Sequence, residues 1–458
     1  MSRVLILCPD HVGLNMAGPA IRYVEIAQAL SAYHEVTLGV LNETDYRIEN
    51  VAIVRYANTN IDALLADHDV VLISGYQLTS FPALTEADIF IVADIYNPFA
   101  LENLEIAERR KNYDFESSVQ NDVLRVGDFF ICASERQRDF WLGMLAALHR
   151  LEPEIYLIDR SFKNLIDVVT FGIPSKKPVH EKRVLKGAYP GIEPEDFVLI
   201  WAGGLYNWLD ADSLINAMAV VGKTRKDVKL FFMGTKHPNA LIPEMEASKR
   251  AKALAESLEL SGQTVFFNDW VPYGERQNYL IEADLGISLH PNHLETRFSF
   301  RTRVLDYIWA SLPTLITEGD AMADIVGQNK LGQVVGYGDV DGIASAILEL
   351  ANNPQGLIEI RDNFSTIQED FYWDRVIEPL KRYCDSPKKI NKDITEDDVK
   401  EDEVPKLKHL EKLVIDKERH IANLEVQLDR YSASLTCRGI LSIKRRFAAT
   451  FSKEKTNV

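Results

Sequence analysis

The chain has 458 residues, 46% of them hydrophobic and 26% charged, which is globular material for roughly three units of about 150 residues. A formal net charge of -17 excludes a general nucleic-acid binder, which needs a basic face to displace counterions. Four scattered cysteines (Cys8, Cys132, Cys384 and Cys437), with no CxxC pair, argue against a disulfide framework or zinc site and fit a reducing, cytoplasmic compartment.

The opening run MSRVLILCPDH is too short for a secretory h-region, and Val4–Leu7 within it reads as a buried strand. A loop and a helix over Pro19–Ser31 follow. Apolar runs at Val36–Val40, Val70–Ser74, Ile89–Ala93, Phe129–Ala133 and Asp167–Thr170 alternate with helical patterns such as NLEIAERRKNYDFESSVQNDVL. Continuous apolar strands separated by helices predict a parallel sheet covered on both faces. The segment FGIP (Phe171–Pro174) ends this half, and a polar stretch runs to about Glu195.

The pattern then restarts with Phe197–Ala202, a Gly-Gly loop and the helix LINAMAVVG. Further strands are predicted at Lys229–Met233, Thr264–Phe267, Leu285–Leu289 and Thr314–Thr317. The prediction is an α/β protein with two tandem Rossmann-like, doubly wound domains, residues 1–175 and 195–370. They face a cleft lined by the loops at the carboxyl ends of their strands.

Beyond Cys384 the composition changes. Residues 385–405 are rich in Lys, Asp and Glu and predict a flexible acidic linker. Within 406–458, Leu407, Val414, Ile421, Leu428 and Leu435 share one heptad position, and Leu410, Lys417, Leu424 and Tyr431 the other. This predicts either self-association through 407–435 as a coiled coil or a helix packed on the enzyme body. In 438–455, Ile440, Leu441, Ile443, Phe447 and Phe451 alternate with Arg438, Lys444, Arg445, Arg446, Lys453 and Lys455. The segment suits either an anionic membrane surface or a solvated tail. No stretch approaches the roughly 20 apolar residues that span a bilayer.

The chemistry should sit in the loops after the strands. Gly13 and Gly18 allow close backbone approach ahead of Pro19 at a helix start, but this is no GxGxxG fingerprint, which disfavours a bound NAD. Gly203 and Gly204 follow a strand directly and admit a phosphate or sugar to the main chain, the alternative being a tight turn. Gly234 and Lys236 follow the next strand, where the lysine either neutralises a phosphate or is solvated. The stretch LHPNHLETRFSFRTRVLDYIWASLPTLIT carries Glu295, the cluster Arg297, Arg301 and Arg303, and a helix starting near Thr302. A diphosphate can be neutralised there by arginine forks and a helix N-terminus, and Glu295 can accept sugar hydroxyls. Asp306, three residues after Arg303, either faces the same site or simply pairs with that arginine.

This arrangement resembles the donor site of glycosyltransferase family 4, the retaining GT-B enzymes. Their motif has two acidic residues separated by seven others, followed by a small residue, Gly and Pro. The resemblance spans about residues 1–383 and rests on GPAIR at Gly18–Arg22, the hinge Phe171–Pro174, Gly203–Gly204 and LDYIWASLP, with Asp306 to Pro313 at the family's distance. It implies that Glu295 binds donor sugar hydroxyls and that Asp306 binds the ribose. The loop Phe298, Ser299, Phe300 to Arg303 would wrap the diphosphate, and Trp270 would lie near the base. Glu295, Arg301 and Arg303 become the expected catalytic residues. The run around Trp373 resembles the final helix, here 371–384, that crosses back to the first domain. The C-terminal extension is similar to those of some bacterial surface-polysaccharide transferases.

Four departures stand out. Ten residues separate Glu295 from Asp306, the second acid is Asp, and YNWLD at Tyr206–Asp210 lacks the family's Arg and Lys pair. The family's frequent first-domain histidine is also absent around Gly75–Gln77. The implied activity is retaining transfer from a nucleotide diphosphate-sugar to a saccharide or lipid-linked acceptor, in surface-polysaccharide synthesis. No cofactor or divalent metal is expected, because arginines would stabilise the leaving diphosphate. The expected location is cytoplasmic, with the basic tail on the inner face of the membrane. A nucleotide-sugar epimerase, or a degenerate scaffold associating through its heptads, are the alternatives.

Overall fold

The computed structural model describes residues 1–56, 61–105, 113–239 and 242–389. The predicted heptad over 407–435, the basic segment 438–455 and most of the predicted linker lie outside the described residues. No helix among the described residues is long and apolar enough to cross a membrane.

Two parallel sheets organise the chain. The first contains β1 (Arg3–Leu7), β2 (Glu35–Val40), β3 (Val51–Arg55), β4 (Val70–Ile73), β5 (Phe90–Asp94), β6 (Phe129–Cys132) and β7 (Ile166–Val168), in the order β3-β2-β1-β4-β5-β6-β7. The second contains β8 (Phe197–Gly204), β9 (Val228–Gly234), β10 (Val265–Phe267), β11 (Leu285–Ser288), β12 (Thr314–Thr317) and β13 (Gly332–Val335), in the order β10-β9-β8-β11-β12-β13. In each, the chain starts at a central strand, winds to one edge and then crosses to the other side. The point of reversal opens a crevice at the carboxyl ends of the strands.

Alternation along the central strands builds a core on each face. In β1, Val4 and Ile6 pack with the helix Gly18–Leu30, while Leu5 and Leu7 join the core on the opposite side of the sheet. In β8, Leu199 and Trp201 join one core and Val198, Ile200 and Ala202 the other. The thiols of Cys8, Cys132 and Cys384 are free and buried within these layers.

Two strands were not anticipated. Both β3 and β13 are sheet edges whose residues are only partly buried. An edge strand has one neighbour and less cover, so GQVV needs no continuous apolar run to hold its place. The helical pattern at 103–124 resolves into the helices Phe99–Leu104 and Tyr113–Val126 on either side of residues that are not described.

The chain crosses between the sheets at FGIP and again at its final helices. There the Ile173 amide donates to Phe371 O at 2.7 Å, and the Trp373 amide donates to Ile173 O at 3.2 Å. A Cβ at Gly172 would fall 2.5 Å from the Trp373 ring, so the glycine is what lets the two crossings touch. The helices Trp373–Val376 and Glu378–Asp385 then bury Trp373, Ile377, Leu380 and Cys384 in the first core beside Val4 and Ile6.

Candidate active site

The second sheet supplies three loops to the crevice. At the end of β8 the register slips between Trp201 and Gly204, and Gly203 takes a φ of +78°, a backbone that favours glycine. A Cβ on Gly204 would lie 2.8 Å from the Tyr206 ring, which stacks on Trp208 with centroids 4.9 Å apart. At the end of β9, Gly234 supports the Trp270 ring, since a Cβ there would approach it to 2.7 Å. Gly204, Tyr206, Thr235, Lys236, His237 and Trp270 line one pocket. Lys236 donates to Asp269 at 2.8 Å on an exposed rim. The predicted residues Gly204, Gly234, Lys236 and Trp270 thus meet at one place.

Arg303 opens the helix Arg303–Trp309 after the loop that follows β11. Its guanidinium lies 4.5 Å from the centre of the Trp201 ring, and Nη2 donates to Gly204 O at 3.1 Å. Among the described residues it has no carboxylate partner, and its Nη1 is buried without an acceptor. Burial brings its pKa down to about 10, with Tyr307 opposing and Arg301 assisting. The charge survives at neutral pH but is poorly compensated by protein, which is the setting that attracts an anion.

Arg301 differs sharply. Its two terminal nitrogens donate to the two carboxylate oxygens of Glu295 at 2.8 and 2.6 Å, and its Nε lies 3.6 Å from Asp320. Both Glu295 and Arg301 are buried. Glu295 sits on the short helix Leu294–Phe298, whose N-cap His293 accepts from the Thr296 amide at 3.2 Å. Burial raises Asp320 to about 6 despite Arg301, and lowers His290 to about 3, helped by the Arg301 charge. His290 is therefore neutral at physiological pH and donates from Nε2 to Glu318 O at 2.9 Å.

Phe298 turns toward the first domain. Its carbonyl accepts from Gln137 Nε2 at 2.9 Å, and its ring lies 4.8 Å from Phe140. Ser299 closes the short helix by donating to Thr296 O at 3.0 Å, while Phe300 packs at the edge of a second-domain core. Asp306 pairs with Arg276 at 3.0 Å rather than with Arg303. Arg276 in turn lies against Tyr273, whose hydroxyl donates to Glu25 of the first domain at 2.8 Å.

The first domain contributes groups that sequence reasoning missed. Asp10, in the loop after β1, lies 3.9 Å from His237 across the crevice. Glu102, on the helix Phe99–Leu104 after β5, accepts from Asn97 Nδ2 at 3.0 Å. Burial raises it from its ordinary 4.5 to about 7, the Glu295 charge adds to this, and Asn97 and Arg301 oppose. The signal available for both was their place just after predicted strands. Gly18 starts the helix Gly18–Leu30, with open space where a side chain would go. Behind the Leu294–Phe298 helix, a cavity of about 600 Å³ is lined by residues including Arg136, His293, Leu294, Arg297 and Tyr337.

Comparison with known proteins agrees with this geometry. Residues 196–353 match the family model described as glycosyl transferases group 1. Among the curated proteins, none matches the sequence. Among solved structures, the chain resembles sucrose-phosphate synthase from Thermosynechococcus elongatus, with a TM-score of 0.60 at 12% identity, covering 83% of this chain and 98% of that one. Anabaena HepE in complex with UDP-glucose gives 0.60 at 14% identity, covering 84% and 99%. WaaG, a glycosyltransferase involved in lipopolysaccharide biosynthesis, gives 0.57 at 15% identity, covering 84% and 100%. At these identities the likeness establishes the fold.

Proposed function

From a GT-B fold whose second domain matches the group 1 glycosyl transferases, we propose that the chain moves a sugar from a nucleotide diphosphate donor to a saccharide or lipid-linked saccharide. The transfer proceeds with retention, serves cell-surface polysaccharide synthesis and takes place on the cytoplasmic side of the membrane. The observation that carries the reading is Arg303. It is a partly buried cation beside the Gly203–Gly204 loop with, among the described residues, no carboxylate to close its charge. A donor diphosphate supplies the missing acceptor oxygens, and its charge grows as the sugar leaves, so the interaction strengthens toward the transition state.

The remaining roles follow from position. Trp270, seated on Gly234, offers a flat face to the base, and Lys236 stands at the rim of the same pocket. Glu295, fixed by Arg301, faces the sugar. The cavity behind the Leu294–Phe298 helix has the volume of a small-molecule site and takes the acceptor. Because an arginine meets the leaving group, turnover needs no divalent ion.

A thermal-shift panel of UDP, GDP, dTDP, ADP and CMP without metal tests the reading on the wild type and Arg303→Ala. A ligand at 100 times its dissociation constant stabilises by about 2.7 kcal/mol. One diphosphate should shift the wild type and lose most of that shift in the variant. Silence across the panel refutes the proposal. An inverted anomeric product by NMR removes retention, and activity lost in EDTA and restored by magnesium removes metal independence.

A further inference from the structure

We propose that Glu102 is the residue through which the first domain holds a hydroxyl of the transferred sugar, opposite Glu295, and that it does so in its ionised form. The inference rests on the transferase reading. Its starting point is that each carboxylate oxygen of Glu295 already accepts one N–H from Arg301 in a buried pair, which leaves it one free lone pair per oxygen. A sugar presents several hydroxyls, and a second acceptor on the first domain would hold one that Glu295 does not.

Glu102 meets that need by position. The helix Phe99–Leu104 packs against the helix Leu294–Phe298 that bears Glu295. Asn97 holds Oε2, and among the described residues Oε1 has no hydrogen-bond partner. Glu295 and Arg301 face Glu102 from the second domain, and Tyr206 feels its charge from the Gly203–Gly204 loop. Tyr96 lies beside it on its own segment. The adjoining helix Tyr113–Val126 presents Glu116, which is bonded to Tyr76.

Burial disfavours the charge on Glu102, and Arg301 is already shared by Glu295 and Asp320. Without a ligand, the cheaper state keeps a proton on Glu102, consistent with its titration near 7. A sugar hydroxyl donates best to the ionised carboxylate, since charge-assisted hydrogen bonds are the stronger kind. The free-enzyme parameter kcat/KM should therefore rise with pH through about 7.

The test is the pH profile of kcat/KM for nucleotide release from UDP-glucose, GDP-mannose, dTDP-glucose or ADP-glucose, whichever is turned over. The wild type should climb between about pH 6 and 8. Glu102→Gln should be flat and about tenfold or more lower at the upper end, as for loss of a hydrogen bond to a charged group. Glu102→Asp should keep the rising limb at reduced height. The nucleotide diphosphate should still shift the melting midpoint of Glu102→Gln, because that contact belongs to Arg303. A rising limb that survives in Glu102→Gln at wild-type height overturns the assignment while leaving the transferase intact. Absence of both turnover and nucleotide binding in the wild type overturns the transferase reading and this role with it.

Discussion

Buried arginines in the two domains do opposite things. In the first domain, Arg22 donates to both oxygens of Asp94 at 2.7 and 2.9 Å and to Val169 O at 2.9 Å, between the Tyr96 and Phe171 rings. Its charge is closed within the fold, and the group ties the helix Gly18–Leu30 to the ends of β5 and β7. In the second domain, Arg303 has a carbonyl and an aromatic face and, among the described residues, no carboxylate, while Nη1 of both arginines is buried without an acceptor. The residue type is the same, Arg22 is fully buried and Arg303 partly exposed, and the partner decides the role. A closed charge is architecture, whereas an open one is a binding site awaiting an anion. Arg301, locked to Glu295, stands with Arg22 in this respect although it lies two residues from Arg303.

The largest expected effect separates these classes by stability. Arg22→Ala and Arg301→Ala each strand a buried carboxylate and should cost about 3–5 kcal/mol in urea unfolding. If Arg301→Ala unfolds with the wild type but loses turnover, Arg301 belongs with Arg303 instead. Next comes Arg303→Ala, which should lower turnover about a hundredfold or more. Its stability loss should be far below that of Arg22→Ala, because no carboxylate is abandoned. Equal losses of stability in the two would erase the distinction.

A subtler effect is the pH dependence of folding. Glu102 titrates near 7 in the folded chain and at its ordinary 4.5 when unfolded, so the folded state holds the extra proton between those values. Stability contributed by that proton is present at low pH and lost as pH rises from about 4.5 to 7. The stability of Glu102→Gln relative to wild type should grow across that window and stay level above it, as read by urea midpoints. The smallest effect belongs to Lys236→Ala. Lys236 and Asp269 form an exposed pair, so nucleotide affinity should change by no more than about a few-fold.

The sheets were legible because central parallel strands must be apolar on both faces, as VLIL in β1 and FVLIWA in β8 are. The edge β13 was obscure for the same reason, since the half-covered GQVV needs no such run, whereas β3 has the apolar run VAIV and was passed over. Gly204, Gly234 and Trp270 were readable as a group because each follows a strand of one sheet. What local spacing hid was partnership. Glu295 and Arg301 read as two ligand-facing groups, yet a five-residue helix and a turn bring them into a bidentate pair. Asp306 sits one helical turn from Arg303 but is claimed by Arg276. Glu102 carried only its place after a strand as a signal, because the charges facing it, Glu295 and Arg301, come from the other domain.

The two chain crossings at Ile173 and Trp373 lie side by side and share main-chain hydrogen bonds. A single thread between two bodies acts as a swivel, free to turn in any direction. Two threads fastened together act as a door hinge, which restricts opening and shutting of the crevice to swinging about one line. The contacts Gln137 to Phe298 and Tyr273 to Glu25 join the two domains elsewhere, so any such swing would have to break and remake them.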